Sequence, residues 1–395
     1  MLAKQCWPPF GDREFDFIRL AMASRLFPVQ PFPDPPTDLD WERLYALLWH
    51  HRLAAHFYVL GKPKRNDWPA TFRERLRLDR YSLIITSERF MLRIKPVLAA
   101  LSEANILVIV LKGWALIQSL YGGDLGQRDY SDIDILVHPQ DADKAEMILK
   151  KLGWQAEEEQ RPGFSRSYYN ARAYFLEQTE FPRQTCSIGF HWGLLHHPAY
   201  NPKQIDVGEV FKRAHALKVA EIPVLAMSVE DHLVYACAHI VLQHRSEESL
   251  LWYYEIASMI KDEDPSLDWQ KVVDYAKCWK LVLSLSKVVK KVEELWPGMV
   301  PSFVFNSINK ITPSLSEQFI HSWYKRTNYN PSFEHVLTWL TMSGMRRRLS
   351  YIFEDIFPNS AYLEKDCGPA PGGIWPLLYV CRFIRGFGRL WQLKG

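Results

Sequence analysis

Residues 111–137 read Leu111-Lys-Gly-Trp-Ala-Leu-Ile-Gln-Ser-Leu-Tyr121, then a glycine-rich turn, then Arg128-Asp-Tyr-Ser-Asp132-Ile-Asp134-Ile-Leu-Val137. Side chains two apart on a strand share a face. Asp132 and Asp134 therefore aim two carboxylates at one spot, while Ile133 and Ile135 turn the opposite way into a core. Converging carboxylates in a core strand are costly unless positive charge lies between them. A hard divalent cation, most often Mg²⁺, meets that need. An isolated Asp-x-Asp pair is commonly a solvated strand end. This one follows Lys112-Gly113 and a buried strand and runs straight into Ile-Leu-Val, which marks the chain as an enzyme.

Upstream, Ile106–Leu111 is a continuous apolar run rich in β-branched residues, the pattern of a buried strand. The spacing predicts a helix over 114–121 and a strand over 132–137. Asp141 is placed to cap a helix with Ala145, Ile148, Leu149 and Leu152 on one side and Gly153 as its stop. Residues 164–177 and 185–195 read as a strand pair. Residues 101–200 are thus expected to form a small α/β core.

Residues 1–100 are expected to be helical. Five prolines in 27–37 exclude regular structure there. Asp38 or Asp40 can cap a helix over about 40–60, and another follows from Thr71 to about 104, with a break expected near Pro96. Beyond 201 the chain is again expected to be helical to residue 395. Ser228-Val-Glu-Asp231 is a capping box opening Leu233–His244, followed by helices over about 249–261 and from Asp268-Trp269. The expected class is α+β, a small mixed sheet flanked by N-terminal and C-terminal helical regions.

Composition bounds the function. At 395 residues the chain is long for one core, which favours two or three domains. The apolar share of 48% and charged share of 24% fit a soluble globular protein. A net charge of +3 gives no argument for nucleic acid. No apolar run reaches the length of a membrane span, and Met1–Pro9 lacks a signal-peptide apolar segment. The six cysteines show no Cys-x-x-Cys pair, which fits reduced thiols in the cytoplasm.

The order of apolar strand, Lys-Gly, short helix, Tyr, Arg and Ser-Asp-x-Asp resembles the polymerase-beta-type nucleotidyltransferase superfamily. It is similar in particular to bacterial nucleotidyltransferase-like proteins that carry Leu-Lys-Gly. The later stretch Glu230-Asp231-His-Leu…His239, with Leu251-Trp-Tyr-Tyr-Glu255-Ile, resembles the helical part of that group. The resemblance covers roughly 40–300 and implies a nucleotidyltransferase core at 101–200. It implies two-metal nucleotidyl transfer, with Asp132 and Asp134 holding Mg²⁺ or Mn²⁺ between a nucleotide and the attacking hydroxyl. Gly113 would allow a triphosphate close to the backbone, beside the free N–H groups opening the helix. Lys112, Arg128 and Ser131 would add phosphate contacts. The donor would be a nucleoside triphosphate or nucleotide sugar. The acceptor would be a hydroxyl or phosphate on a peptide or sugar, since related proteins occur in gene clusters for modified peptides and polysaccharides.

The superfamily usually adds a third carboxylate from a neighbouring strand, in the related group two residues before His-Trp. Here the stretch is Cys186-Ser-Ile-Gly189-Phe-His191-Trp192, with glycine at the acid position. Three readings stay open. Glu177 or Glu180 replaces the acid; His191 contributes, although imidazole suits Mg²⁺ poorly; or the site binds a nucleotide with altered or no transfer, as an interaction module. A toxin-type transferase acting on RNA is a further reading, against which stands the lack of a basic stripe.

The remaining features have plainer explanations. The spacings of His191, His196, His197, His239 and His244 match no zinc signature. Cys237 reads as a small core residue. Glu255 is either a cleft acid or a structural partner for a nearby Lys or Arg. Arg346-Arg-Arg348 reads as surface charge. The aromatic and basic stretch 374–391 reads as a packing or partner surface.

Overall fold

A computed structural model of the chain describes residues 11–130, 132–159, 161–176, 186–196, 198–200, 204–243, 249–263, 265–326, 331–342, 344–368 and 376–382. The first elements are helices α1 (Arg13–Leu26), α2 (Trp41–His50), α3 (Ala54–Leu60) and the 34-residue α4 (Ala70–Glu103). Then come β1 (Val108–Leu111), α5 (Lys112–Ser119), β2 (Asp132–Val137), α6 (Ala142–Lys151), β3 (Gln155–Ala156), α7 (Phe164–Tyr168), β4 (Ala171–Leu176) and β5 (Cys186–His191). After α8 (Val207–Arg213), a hairpin of β6 (His215–Val219) and β7 (Ile222–Ala226) leads into α9 (Val229–Leu242) and α10 (Leu250–Glu263). Helices α11 (Trp269–Cys278) and α12 (Val282–Leu295) precede five more helices between Ser302 and Cys367.

Among the described residues the strands form one seven-stranded mixed sheet in the order β3-β4-β5-β2-β1-β7-β6. The expected α+β class is what the structure shows, a mixed sheet with helical regions around it. β2 lies at its centre, antiparallel to β1 and parallel to β5. Alternation along the central strands divides the core. Val108, Val110, Ile133, Ile135, Val137, Ile188 and Phe190 face a cluster with Ile94, Leu98 and Leu101 of α4 and Leu149 of α6. Ile109, Leu111 and Leu136 face the other way, into a larger cluster with the α9, α10 and α12 side chains. Asp132 and Asp134 share the parity of Leu136. The acids therefore stand on the sheet face that the helical part of the chain covers.

Several local expectations change. The helix expected over 40–60 is two helices, because Arg52 adopts a left-handed conformation (φ +59°) between α2 and α3. α4 runs unbroken through Pro96. Burial of Phe90, Ile94, Val97, Leu98 and Leu101 against the sheet outweighs the missing backbone bond. Residues 164–168 are helix rather than strand. Gly163 turns the chain at φ +79°, and the Phe164 and Tyr168 rings meet at 4.9 Å on one face. The strand begins only at Ala171, and its partner β5 ends at His191. Asp141 closes a short 3-10 turn and makes no side-chain cap to α6.

The sheet also extends past residue 200. β7 pairs with β1 in parallel at Ile109 and Leu225, and β6 closes that edge. The two residues between β6 and β7, Ala220 and Glu221, have φ of +51° and +66°. Two consecutive left-handed residues are what a tight type I′ hairpin requires. Ser228 caps α9 by accepting from Asp231 N, as the capping box predicts.

Candidate active site

β1 passes into α5 without a loop, through one strained residue. Lys112 has φ +54°, a region costly for a side chain with Cβ. Packing holds the turn in place. Trp114 of α5 donates from Nε1 to the Asp132 carbonyl at 3.2 Å, and its ring stacks on Phe90 at 5.5 Å and meets Tyr130 at 4.4 Å. The first residue of β2 is thereby tied to the first turn of α5.

Lys112 directs its ammonium to Asp134, with Nζ 2.8 Å from Oδ2. The other carboxylate oxygen, Oδ1, lies 3.0 Å from Nε2 of His191 on β5. All three groups are largely buried, with side-chain exposures of 19% for Lys112, 8% for Asp134 and 5% for His191. Burial pushes the Asp134 pKa up. The Lys112 charge and the His191 contact outweigh it and hold the carboxyl well below the usual carboxylate range. Asp134 is thus an anion fixed between two nitrogen donors. Asp132, half-buried, stands two residues earlier on the same face.

Gly189 has a steric reason. It pairs in register with Asp134 on the parallel strand. A Cβ at 189 would lie 2.0 Å from Asp134 Oδ1 and 3.4 Å from His191 Nε2. The Asp134 carboxylate reaches His191 by leaning over the space that glycine leaves.

Gly113 is likewise explained by a neighbour. A Cβ there would lie 2.1 Å from Nη1 of Arg128, so the group closing on this backbone is a guanidinium. Arg128 is buried and grips Glu255 of α10, Nε to Oε1 at 2.6 Å and Nη2 to Oε2 at 3.2 Å. Tyr121 adds a hydrogen bond to Glu255 at 3.2 Å. Of the two readings of Glu255, the structure shows the paired one. The pair fastens the turn before β2 to the helical part of the chain.

Of the residues expected from sequence, Lys112, Asp134 and His191 are brought into direct contact, with Asp132 and Gly189 beside them. Arg128 is held against Gly113 and Glu255. Ser131, Glu177 and Glu180 lie outside the described residues, as do His197 and His244. Among the described residues, no three His, Cys, Asp or Glu side chains converge as a metal-ligand group. His196 stacks on Tyr169 at 4.9 Å, and burial, with the charges of His191 and Lys112, lowers its pKa to about 4. Arg347 and Arg348 donate to the carbonyls of Ser167 and Met342.

Tyr235 of α9 was not legible as a site residue. It belongs to the cluster that covers Leu111 and Leu136, and it is 1% exposed. Burial first, then the negative charges of Asp134 and Asp132, raise its pKa well above the ordinary phenol value. In sequence it reads as one more core aromatic among Leu233, Val234 and Cys237. The available signal was that a buried phenol needs a partner.

A family model described as "uncharacterised nucleotidyltransferase" matches residues 37–297. The chain belongs to that family. The match spans α2 to α12 and so contains the whole sheet and the Lys112, Asp132, Asp134 and His191 cluster. Membership carries nucleotidyl transfer as the general class of reaction and nucleotides as substrates. No curated protein matches the chain. No helix among the described residues is long and apolar enough to cross a membrane.

Proposed function

We propose that this nucleotidyltransferase is Mg²⁺-dependent and moves a nucleotidyl or related phosphate-linked group from a nucleoside triphosphate or nucleotide sugar to a hydroxyl or phosphate acceptor. One observation carries the reading: two carboxylates share a face of β2, and one of them is buried as an anion with a lysine 2.8 Å away. Mg²⁺ is commonly held by one or two carboxylates, with water and substrate phosphate filling the remaining positions. Asp132 and Asp134 fit that donor set. When bound, the ion would neutralise phosphate charge and polarise the reacting phosphoryl group. His191, bonded to Asp134 through Nε2, fits an outer partner that orients the carboxylate better than a ligand. Lys112 balances the charge of Asp134 and sits at the opening turn of α5, where an ammonium and free N–H groups can receive phosphate. Arg128 supports this turn by its pair with Glu255. The sequence resemblance suggests a peptide or sugar acceptor, and the scattered cysteines without Cys-x-x-Cys pairs suggest a cytoplasmic setting. The lack of a basic stripe in the sequence argues against an RNA acceptor.

A thermal-shift screen of nucleoside triphosphates and nucleotide sugars, with and without Mg²⁺, tests the reading. Selective stabilisation that requires Mg²⁺ is expected. It should vanish in Asp132→Ala and Asp134→Ala while circular dichroism shows the fold retained. Ligand response that ignores Mg²⁺, or survives both substitutions, would sink the proposal.

Gly189 favours a second reading, a nucleotide-binding module with altered or absent transfer. β5 presents glycine and histidine toward Asp134, with no acid at 189 to serve as a further ligand. Mg²⁺-dependent binding without release of pyrophosphate, sugar phosphate or nucleoside monophosphate, across peptide and sugar acceptors, would select it.

A further inference from the structure

We propose that Tyr235 is a ligand-binding residue whose phenol O–H donates a hydrogen bond to a phosphate oxygen of the nucleotide held against Asp132 and Asp134. The inference deepens the function proposed above and rests on it. The Tyr235 hydroxyl is buried and has no hydrogen-bond partner among the described residues. A buried, unsatisfied hydroxyl is destabilising, and phenylalanine would fill the same volume without that penalty. A tyrosine at 1% exposure therefore calls for a partner that the described residues do not supply.

The surroundings specify the partner's chemistry. Tyr235 packs in the cluster containing Leu111 and Leu136. Those residues flank Asp134 through the β1–β2 register and the β2 alternation. Tyr235 thus belongs to the core on the side of the sheet that carries Asp132 and Asp134, and the charges of both act on its phenol. A phenol beside two carboxylates remains protonated and acts as a donor. The acceptor it suits is an oxygen carrying negative charge, brought in with compensating positive charge. A polyphosphate accompanied by Mg²⁺ and Lys112 has that composition.

Isothermal titration of wild-type protein and Tyr235→Phe tests this, with Mg²⁺-tripolyphosphate and the four common Mg²⁺-nucleoside triphosphates as probes. The variant should bind tripolyphosphate and the responding triphosphate about ten- to a hundred-fold more weakly, the range for a hydrogen bond to a charged group. Its ligand-free melting temperature should equal or exceed that of wild type. Equal affinity in the two proteins overturns the inference while leaving the proposed function standing. Weakening for the triphosphate alone, with tripolyphosphate unaffected, also overturns it, by placing the contact on sugar or base. A lower ligand-free melting temperature would show that the hydroxyl has a structural partner and overturn it as well. If wild-type protein binds none of these probes, and no nucleotide sugar in the thermal-shift screen, the proposed function fails and the inference fails with it.

Discussion

Asp134 and Gly189 are complementary in shape: the carboxylate of one occupies the place where the other would carry a Cβ, 2.0 Å from Oδ1. A residue that looks in sequence like a lost ligand is therefore the clearance that lets Asp134 reach His191. Gly189→Ala should push the carboxylate out of its position between Lys112 and His191. The expected result is at least ten-fold weaker Mg²⁺-dependent nucleotide binding, with a stability loss of about 1–3 kcal/mol from overpacking. Calorimetric titration and urea unfolding read the two effects. Gly189→Asp meets the same obstacle and should weaken Mg²⁺ binding; tighter Mg²⁺ binding would show that Asp134 can rearrange to share the site.

The Arg128–Glu255 pair is buried on both sides. Removing one partner leaves an uncompensated charge, so Glu255→Ala should cost about 3–5 kcal/mol in urea unfolding. The double variant Arg128→Met, Glu255→Leu should recover much of that loss, because an apolar pair of similar size needs no counter-charge. If the double variant is no more stable than Glu255→Ala, the pair's contribution is geometric rather than electrostatic.

Lys112 combines a functional side chain with a strained backbone. Lys112→Ala and Lys112→Gly both delete the ammonium, but only glycine relieves the left-handed conformation. Lys112→Gly should be more stable than Lys112→Ala by about 1–2 kcal/mol. Both should lose nucleotide affinity to a similar degree. Equal stability of the two variants would show that the turn relaxes when the side chain is shortened.

Acid stability follows from histidines that fold neutral. Burial lowers the pKa of His51 to about 3 and of His56 and His232 to about 4. In the unfolded chain each titrates near 6.5. Between those values the unfolded state binds more protons, so stability must fall as pH drops from about 6.5 toward 4. The depressed carboxyl of Asp134 adds a loss that begins only below about pH 4, as the unfolded-state carboxyl protonates. Melting temperature across pH 4–7 checks the sign. His56→Gln, which can still hydrogen-bond, should flatten the slope.

The segment from β1 to β2 was legible because its information is local: a β-branched run, a Lys-Gly turn and acids two apart. The members of the charge cluster, Lys112, Asp134 and His191, are all expected at the site from sequence, but the direct bond between the last two is not, because His191 is 57 positions from Asp134 and meets it only through the parallel β2–β5 register. The β6–β7 hairpin carries no local sequence signal, because Ala220 and Glu221 are not the Asn-Gly type that advertises a type I′ turn. α7 departs from the strand expected over 164–177 because Phe164 and Tyr168 carry strand-forming side chains at helical spacing, and their tertiary partners Met342 and Tyr351 decide the matter.

The grip of Lys112 and His191 on Asp134 also constrains the sequence of events by which this site can change. Losing Lys112 first strands a buried anion, whereas Asp134→Asn first removes the charge and leaves the lysine free to turn toward solvent. The inexpensive mutational route out of this chemistry therefore starts at the acid. A descendant that has abandoned the reaction should keep its lysine as a relic after Asp134 is gone, and the reverse combination should be rare.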